Sequence, residues 1–212
     1  MDIDYKKVMD YSILKETVKE KRTVLSYIVE DTGIPQPRLS SIMTGWVYPK
    51  SDTVAKIAWS LKVPVSKVVR FNIDANNVKM KWFSERELPY SPSDEAKGEV
   101  TYEPLRLMMN MYLDYLYEQT GKEKTVNDLF DLIEPCKRRN GLTGTSGMYK
   151  KAMEARGYEE GYKSQRVRTY KAKGLIPQIR TKLKNDVPIS MRTIYDICNF
   201  FGCSVDWVMS YK

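Results

Sequence analysis

The chain carries one short motif twice, and this repetition limits the folds that it can adopt. Residues 34–38 read IPQPR and residues 176–180 read IPQIR, and an amphipathic helical pattern follows each of them. Apolar positions in the two downstream patterns are separated by a constant 140 residues, starting with Val54 and Ile194. At the two motifs themselves the separation is 142 residues, which predicts two extra residues in the first copy's following loop. Two related all-helical modules explain the pattern most simply.

Helical periodicity predicts most of the remaining secondary structure. In the first copy, Gly33 ends a helix, Pro35 and Pro37 fall in the first turn of the next helix, and Ser51 or Thr53 caps a fourth. Trp46 and Tyr48 lie in a turn, where they either close the core, which the pattern favours, or stack on a sugar. The predicted helices are 11–22, 24–32, one from 35, one after 51, one from 64, 103–117, one from 125, 148–156, 162–173, 177–184, 190–201 and 204–211.

The segment between residues 72 and 101 has a different pattern. Val78, Met80 and Trp82 alternate with lysines, and Val100 and Tyr102 alternate with polar residues. Alternation of this kind is typical of short strands, so we expect a small β-hairpin with Trp82 half-buried.

The expected fold class is mainly α, with two related all-helical modules joined by a helical connector. The predicted domains are 1–72, an acidic connector at 73–140, and a second module at 141–212 that starts with a flexible joint at 141–147. The predicted connector helix 103–117 is apolar nearly all round, so we expect it to be covered on two sides. One way to cover it is pairing of two chains through residues 103–133.

Positive charge is concentrated in the two copies. Residues 1–72 hold 12 basic and 8 acidic side chains (+4), residues 73–136 hold 7 and 13 (−6), and residues 137–212 hold 16 and 6 (+10). Between residues 161 and 185 the basic residues occur without any acidic residue. This distribution favours a polyanionic partner.

Several classes of protein are disfavoured by composition. We expect a cytoplasmic protein, because no apolar run reaches the roughly 18 residues of a membrane helix and the N-terminus does not resemble a secretion signal. The chain has three cysteines and no histidine, so we expect no metal and no cofactor, and Cys198, which repeats the position of Ala58, is predicted to be core. Without paired carboxylates or a nucleophile motif, we expect no enzymatic activity.

The first copy also carries a specific combination of residues from about 14 to 71. These are Ile28, Val29, Gly33, Ile34, Leu39, Ile42, Gly45, Pro49, Thr53, Val54, Ile57, Ala58, Leu61 and Val63. In this combination the chain resembles the Cro and Xre family of helix-turn-helix proteins, which have the lambda-repressor-like fold. A more divergent second copy, from about 148 to 211, resembles the same family.

The resemblance implies sequence-specific binding to double-stranded DNA, most simply as a transcriptional repressor of a bacterium, phage or mobile element. A short helix then enters the major groove and presents its first residues to base edges. The residues that the resemblance places at the bases are Gln36, Pro37, Ser40, Ser41, Thr44, Pro177, Gln178, Thr181 and Lys182. The basic side chains expected at phosphates are Arg38, Lys50, Lys163, Arg166, Arg168, Lys171, Lys173, Arg180 and Lys184.

Two points stay open at this stage. The second copy can be counted from Gly174 or from the shared Ile-Pro-Gln letters, and the two counts differ by one residue. The strongly basic second copy also fits an inhibitor that blocks a protein or ribonucleoprotein complex of host defence, while the first module regulates its own gene. An antitoxin is a variant of that second hypothesis.

Overall fold

The computed structural model describes residues 4–74, 78–133, 175 and 177–212, and the fold is mainly helical, with short antiparallel strand pairs. A short helix, α1 (Tyr5–Val8), comes first. A series of elements then begins and ends with a strand. In chain order it comprises β1 (Met9–Asp10), α2 (Ile13–Glu20), α3 (Leu25–Thr32), α4 (Gln36–Met43), α5 (Ser51–Leu61), a 3₁₀ turn (Val65–Lys67) and β2 (Arg70–Phe71).

The same series of elements occurs a second time. Helix α6 (Val78–Ser84) lies between the two series. The second series comprises β3 (Val100–Thr101), α7 (Glu103–Thr120), α8 (Val126–Leu132), α9 (Pro177–Lys184), α10 (Met191–Phe201), a 3₁₀ turn (Val205–Trp207) and β4 (Ser210–Tyr211). We call the two series the first and second repeats.

Each repeat is closed by its first and last strands. Strand β1 pairs with β2 and β3 pairs with β4, both antiparallel. Helix α2 contacts the first 3₁₀ turn, and α7 contacts the second in the same way. Ile28 of α3 and Leu129 of α8 are both the fourth residue of their helix, and both are buried. Elements α7 and α8 therefore belong to the second repeat.

This arrangement differs from the predicted domains. The sequence assigned α7 and α8 to a connector at 73–140, whereas the structure packs them against the second repeat. Residues 134–174 therefore lie in sequence between α8 and α9. The predicted helices 148–156 and 162–173 and the joint at 141–147 fall outside the described residues. The domain boundaries stay a prediction, and the repeated motif, which covers only the later helices of each copy, gives no sign of this packing.

Equivalent residues of the two repeats meet each other. Lys50 and Ser190 form an isolated antiparallel bridge, and the Ser66 N–H donates to Oδ1 of Asp206 at 2.9 Å across 140 residues of sequence. Both pairs therefore join the same position in each repeat. When a surface contacts its own counterpart in this way, the two units are related by an approximate two-fold rotation.

The packing across this axis is reciprocal. Phe71 of β2 and Tyr5 of α1 lie edge-on to the ring of Tyr195 in α10, at 5.5 and 5.9 Å between ring centroids. In the opposite direction, β3 and β4 contact α5, and Trp59 of α5 donates its indole N–H to the Ala96 carbonyl just before β3. One hydrophobic core extends through both repeats.

Residues 78–84 form a helix, so the predicted strand at this position is wrong. The adjacent residues Trp82 and Phe83 are both buried, and both pack edge-on or stacked against Tyr112 of α7. Three alternating apolar residues are too few to distinguish a strand from a short helix with a broad buried face. A strand does begin at Val100 as predicted, but it pairs with β4 rather than with residues 78–82.

Three other local predictions need correction. Residues 204–211 form a 3₁₀ turn and a strand instead of a helix. Ser51 does not cap α5, because it is the first residue of that helix and its hydroxyl lies 2.7 Å from the Tyr102 hydroxyl. Helix α7 extends to Thr120, beyond the predicted end at 117, and Tyr117 near its end is 54% exposed. Pairing of two chains through 103–133 stays a prediction.

Other local predictions are confirmed. Helix α3 ends at Gly33 in the left-handed conformation. Thr125 and Asp128 form the reciprocal capping box at the start of α8. Cys198 is fully buried, as its match to Ala58 predicted.

The contact between α5 and the segment before β3 can be tested at Gly98. A Cβ atom at this position would lie 3.0 Å from the Trp59 ring, and the backbone φ is +78°. We expect Gly98→Ala to lower the free energy of unfolding by about 2–3 kcal/mol in urea titrations, from strain and overpacking together. Gly121→Ala is the control, because its φ is +64° but nothing lies within 4 Å; its expected cost is about 1 kcal/mol. Equal losses would contradict the close packing.

Candidate nucleic-acid interface

Helix α4 is fixed against α3 by a tight turn and by buried side chains. The Gly33 N–H donates to the Val29 carbonyl at 2.8 Å, with φ at 68°, so the chain leaves α3 abruptly. Pro35 then precedes α4 in an extended conformation. Leu39 and Ile42 of α4 are fully buried. The opposite face of α4 is thereby turned outward.

The outward face of α4 carries the residues predicted to contact DNA. Ser41 is half-buried, and its hydroxyl donates to the Pro37 carbonyl at 2.8 Å. Thr44 donates to the Ser40 carbonyl at 3.0 Å, so both hydroxyls keep acceptor lone pairs for an incoming donor. The exposed residues of this face are Gln36, Pro37, Arg38, Ser40 and Thr44.

The structure decides how α9 aligns with α4. Ile34 and Ile42 of the first repeat are buried, and so are Leu175 and Leu183 of the second, 141 residues later. The Trp46 N–H donates to the Ser41 carbonyl, and the Val187 N–H donates to the Lys182 carbonyl with the same separation. The count from Gly174 is therefore the structural one.

Two consequences follow from this alignment. The identical Ile-Pro-Gln letters are displaced by one helical position, so Pro177 is equivalent to Gln36, and Gln178 to Pro37. Because the separation is 140 at Lys50 and Ser190, the first repeat has one extra residue in the loop after α4. The prediction of two extra residues is wrong.

The outward face of α9 is polar and basic. The N-terminal residue of the helix is Pro177, whose side chain is not among the described ones. The exposed residues of α9 include Gln178, Thr181, Lys182 and Lys184. Of the remaining predicted phosphate contacts, Lys50 is exposed at the junction of the repeats. Those outside the described residues are Lys163, Arg166, Arg168, Lys171 and Lys173.

Arg180, one of the predicted phosphate contacts, is bound within the fold. Its guanidinium forms an ion pair with Asp131 of α8, donates to the Leu175 carbonyl at 3.1 Å, and lies 5.7 Å from the centre of the Phe130 ring. The side chain is only 23% exposed. Arg180 therefore ties the start of α9 to α8, and its contact with a phosphate stays a prediction.

The other end of α9 is held by α7. The Arg106 guanidinium donates to the Leu183 carbonyl at 2.7 Å and to Asp186 at 2.9 Å. A cation at the carbonyl end of a helix is favourable, because it opposes the helix dipole. The sequence does not reveal this contact, since Arg106 and Asp186 are far apart in the chain and neither belongs to a motif.

Asp186, the acidic partner of Arg106, has a backbone conformation that is unusual for a residue other than glycine. Its φ of 55° is left-handed, like the 71° of the equivalent residue, Gly45. Its carboxylate also accepts from the Tyr102 N–H at 2.8 Å and from the Lys212 ammonium at 2.7 Å. Burial raises the pKa of Asp186, but the hydrogen bonds from Arg106, Lys212 and Tyr102 outweigh it and lower that pKa to about 2.

Trp46 is a further correction. It was predicted to close the core, but it is 79% exposed just after α4, and the Lys6 ammonium lies 5.6 Å from its ring centre. Gly45 turns the chain outward at this point, which sequence periodicity does not reveal. Tyr48 is half-buried beside the Arg192 guanidinium, at 4.9 Å. Stacking of Trp46 on a sugar stays a prediction.

Comparisons with protein families, with curated proteins and with solved structures find no match to this chain. Among the described helices, none is both long enough and apolar enough to cross a membrane. Over the same residues, no group of three or more Cys, Asp or Glu side chains is arranged to hold a metal ion.

The anchor at the end of α9 predicts a specific pH dependence. The pKa of Asp186 is about 2 in the folded chain and about 3.9 in an unfolded one. The stabilisation is therefore present above pH 4 and is lost as the pH falls from about 4 to about 2. We expect Asp186→Asn to be less stable than the unmodified protein at pH 6, and the difference to shrink by about 2 kcal/mol by pH 2.

The measurement is urea unfolding followed by circular dichroism across this pH range. Asp114→Asn, at an exposed position of α7, is the matched control for removal of a carboxylate. If Asp186→Asn behaves like this control at every pH, the ion-pair network does not stabilise the fold.

Proposed function

We propose that this protein binds specific sequences in double-stranded DNA, with α4 and α9 lying in the major groove. The observation that carries the proposal is the outward face of α4. It is exposed except at the half-buried Ser41, follows a tight turn from a supporting helix, and carries polar side chains on a rigid backbone. A helix presented in this way matches the geometry of helix-turn-helix recognition.

The residues of α4 suit contact with base edges. Gln36 is the first residue of the helix and is exposed; a glutamine amide can pair with the N6 and N7 atoms of adenine through two hydrogen bonds. Pro37 offers only an apolar surface, which suits a thymine methyl group. Arg38 and Lys50 are exposed nearby and would contact phosphates without reading sequence.

Helix α9 supports the same function with a more cationic surface. Lys182 occupies the position equivalent to Ser41, and Lys184 follows at the end of the helix. A lysine in the groove can donate to guanine O6 or N7, and it also strengthens attraction to the backbone. Both ends of α9 are tied down by ion pairs, through Arg180 to Asp131 and through the Arg106–Asp186 pair. A rigid support of this kind favours recognition over non-specific attraction.

We further propose that the protein acts as a transcriptional regulator. Sequence-specific binding is tested first, by selection of bound duplexes from a random pool with the intact chain. Enrichment of a defined sequence supports the proposal. Recovery of random sequence only would overturn it and favour the inhibitor hypothesis, which nuclease-treated pull-downs would then examine.

The role of Gln36 is tested on the selected duplex. We expect Gln36→Ala to weaken binding by about 1–3 kcal/mol and to relax the preference at one base pair, because the bidentate contact is lost. Fluorescence anisotropy on the selected duplex and on single-base variants measures both effects. Gln119→Ala, an exposed glutamine on α7, is the control. Equal losses on selected and random DNA would rule out base reading by Gln36.

The role of Lys182 is tested by salt dependence. Each phosphate neutralised by a lysine releases condensed counterions, so Lys182→Ala should reduce the slope of log affinity against log salt by about 1. Lys122→Ala, exposed in the loop after α7, should leave the slope unchanged. An unchanged slope for Lys182→Ala would place that ammonium away from the DNA backbone.

A further inference from the structure

We infer that a single chain fills a duplex site made of two unlike half-sites in inverted orientation, with no second copy of the protein. This inference rests on the proposed function. Its basis is the set of contacts between equivalent residues, which makes the chain a covalent counterpart of a symmetric dimer.

The two-fold axis passes between Lys50 and Ser190, the residues that precede α5 and α10. Both of these residues are exposed. Helices α4 and α9 each end a few residues before this junction, so they flank the axis as a related pair. B-form DNA also has two-fold axes across its grooves, and a protein with two-fold symmetry therefore reads inverted half-sites.

Helices α4 and α9 are held in a fixed relative position. The contacts across the axis are buried or partly buried: the Ile189 N–H donates to the Ser51 hydroxyl at 3.0 Å, and the Ser51 N–H donates to the Ile189 carbonyl at 3.0 Å. The Asp206 carboxylate accepts from the Ser66 N–H in the opposite repeat. Because one core joins both repeats, α4 and α9 keep a fixed separation, and the spacing between half-sites must be fixed as well.

The two reading faces differ in their side chains. In the alignment set by burial, Gln36 is equivalent to Pro177, Pro37 to Gln178, and Ser41 to Lys182. No pair carries the same side chain. The half-sites must therefore differ in sequence, although the two helices approach the groove in the same way.

The first test uses the sequence selected by the intact chain. One duplex keeps the two halves in inverted orientation, and a second duplex places them in direct orientation. A third duplex has about five base pairs, half a helical turn, inserted between the two inverted halves. We expect binding to fall at least tenfold for the direct arrangement and for the half-turn insertion. Native mass spectrometry should show one chain per duplex.

The second test exchanges the reading residues of α9 for those of α4. The variant Pro177→Gln, Gln178→Pro, Thr181→Ser, Lys182→Ser, Asn185→Thr should shift the selected site from two unlike halves to an inverted repeat of the half read by α4. Circular dichroism and thermal unfolding establish that the variant is folded. If it is not, single Lys182→Ser is used, and the preference should change in one half only.

The outcomes separate the two proposals. Unlike inverted halves, one chain per site and a change confined to one half support the inference. Two chains per site, indifference to orientation, or a selected sequence read by one helix alone would overturn it, while the proposed DNA binding would stand. If no sequence is preferred, both fail together.

Discussion

The whole molecule depends on contacts between equivalent positions of its two repeats. Lys50 pairs with Ser190, and the Asp206 carboxylate accepts from the Ser66 N–H. Asp206 sits in a largely buried position at this contact, where burial raises the pKa of its carboxyl group. A buried polar group must be hydrogen-bonded to be tolerated, so these contacts hold the repeats in one relative orientation. From that orientation follow the reciprocal packing on α5 and α10 and the placement of α4 and α9 on either side of the junction.

The two repeats support their outward helices by different means. In the first repeat α4 is held by apolar packing against α2 and α3, with Leu39 and Ile42 buried. In the second repeat, the position of Leu39 is taken by Arg180, which pairs with Asp131, and the position of Gly45 is taken by Asp186, which pairs with Arg106. Ionic anchors thus occur where the first repeat uses apolar packing and a glycine turn. The Arg106–Asp186 anchor depends on pH, because the pKa of Asp186 is lowered in the fold, whereas the apolar packing of α4 does not.

The sequence alone predicts much of the first repeat. Short helices with strong punctuation, such as the end of α3 at Gly33 and the start of α4 beside Pro35, are encoded locally. It predicts the second repeat less well, because α8 and α9 are separated by residues 134–174 and because no repeated motif marks α7 as the counterpart of α2. The repeated Ile-Pro-Gln letters even suggest the wrong alignment. Burial of Leu175 and Leu183 corrects it, and burial is a property of the assembled core.

The central claim is that the outward faces of α4 and α9 contact the same duplex. Photo-crosslinking of the intact chain to its selected duplex, with a diazirine-bearing thymine analogue at successive thymines and the attached peptides identified by mass spectrometry, tests this directly. The account predicts crosslinks to residues 36–44 when the substitution lies in one half of the site and to residues 177–184 when it lies in the other. Crosslinks confined to other surfaces, or to one helix from both halves, would contradict it.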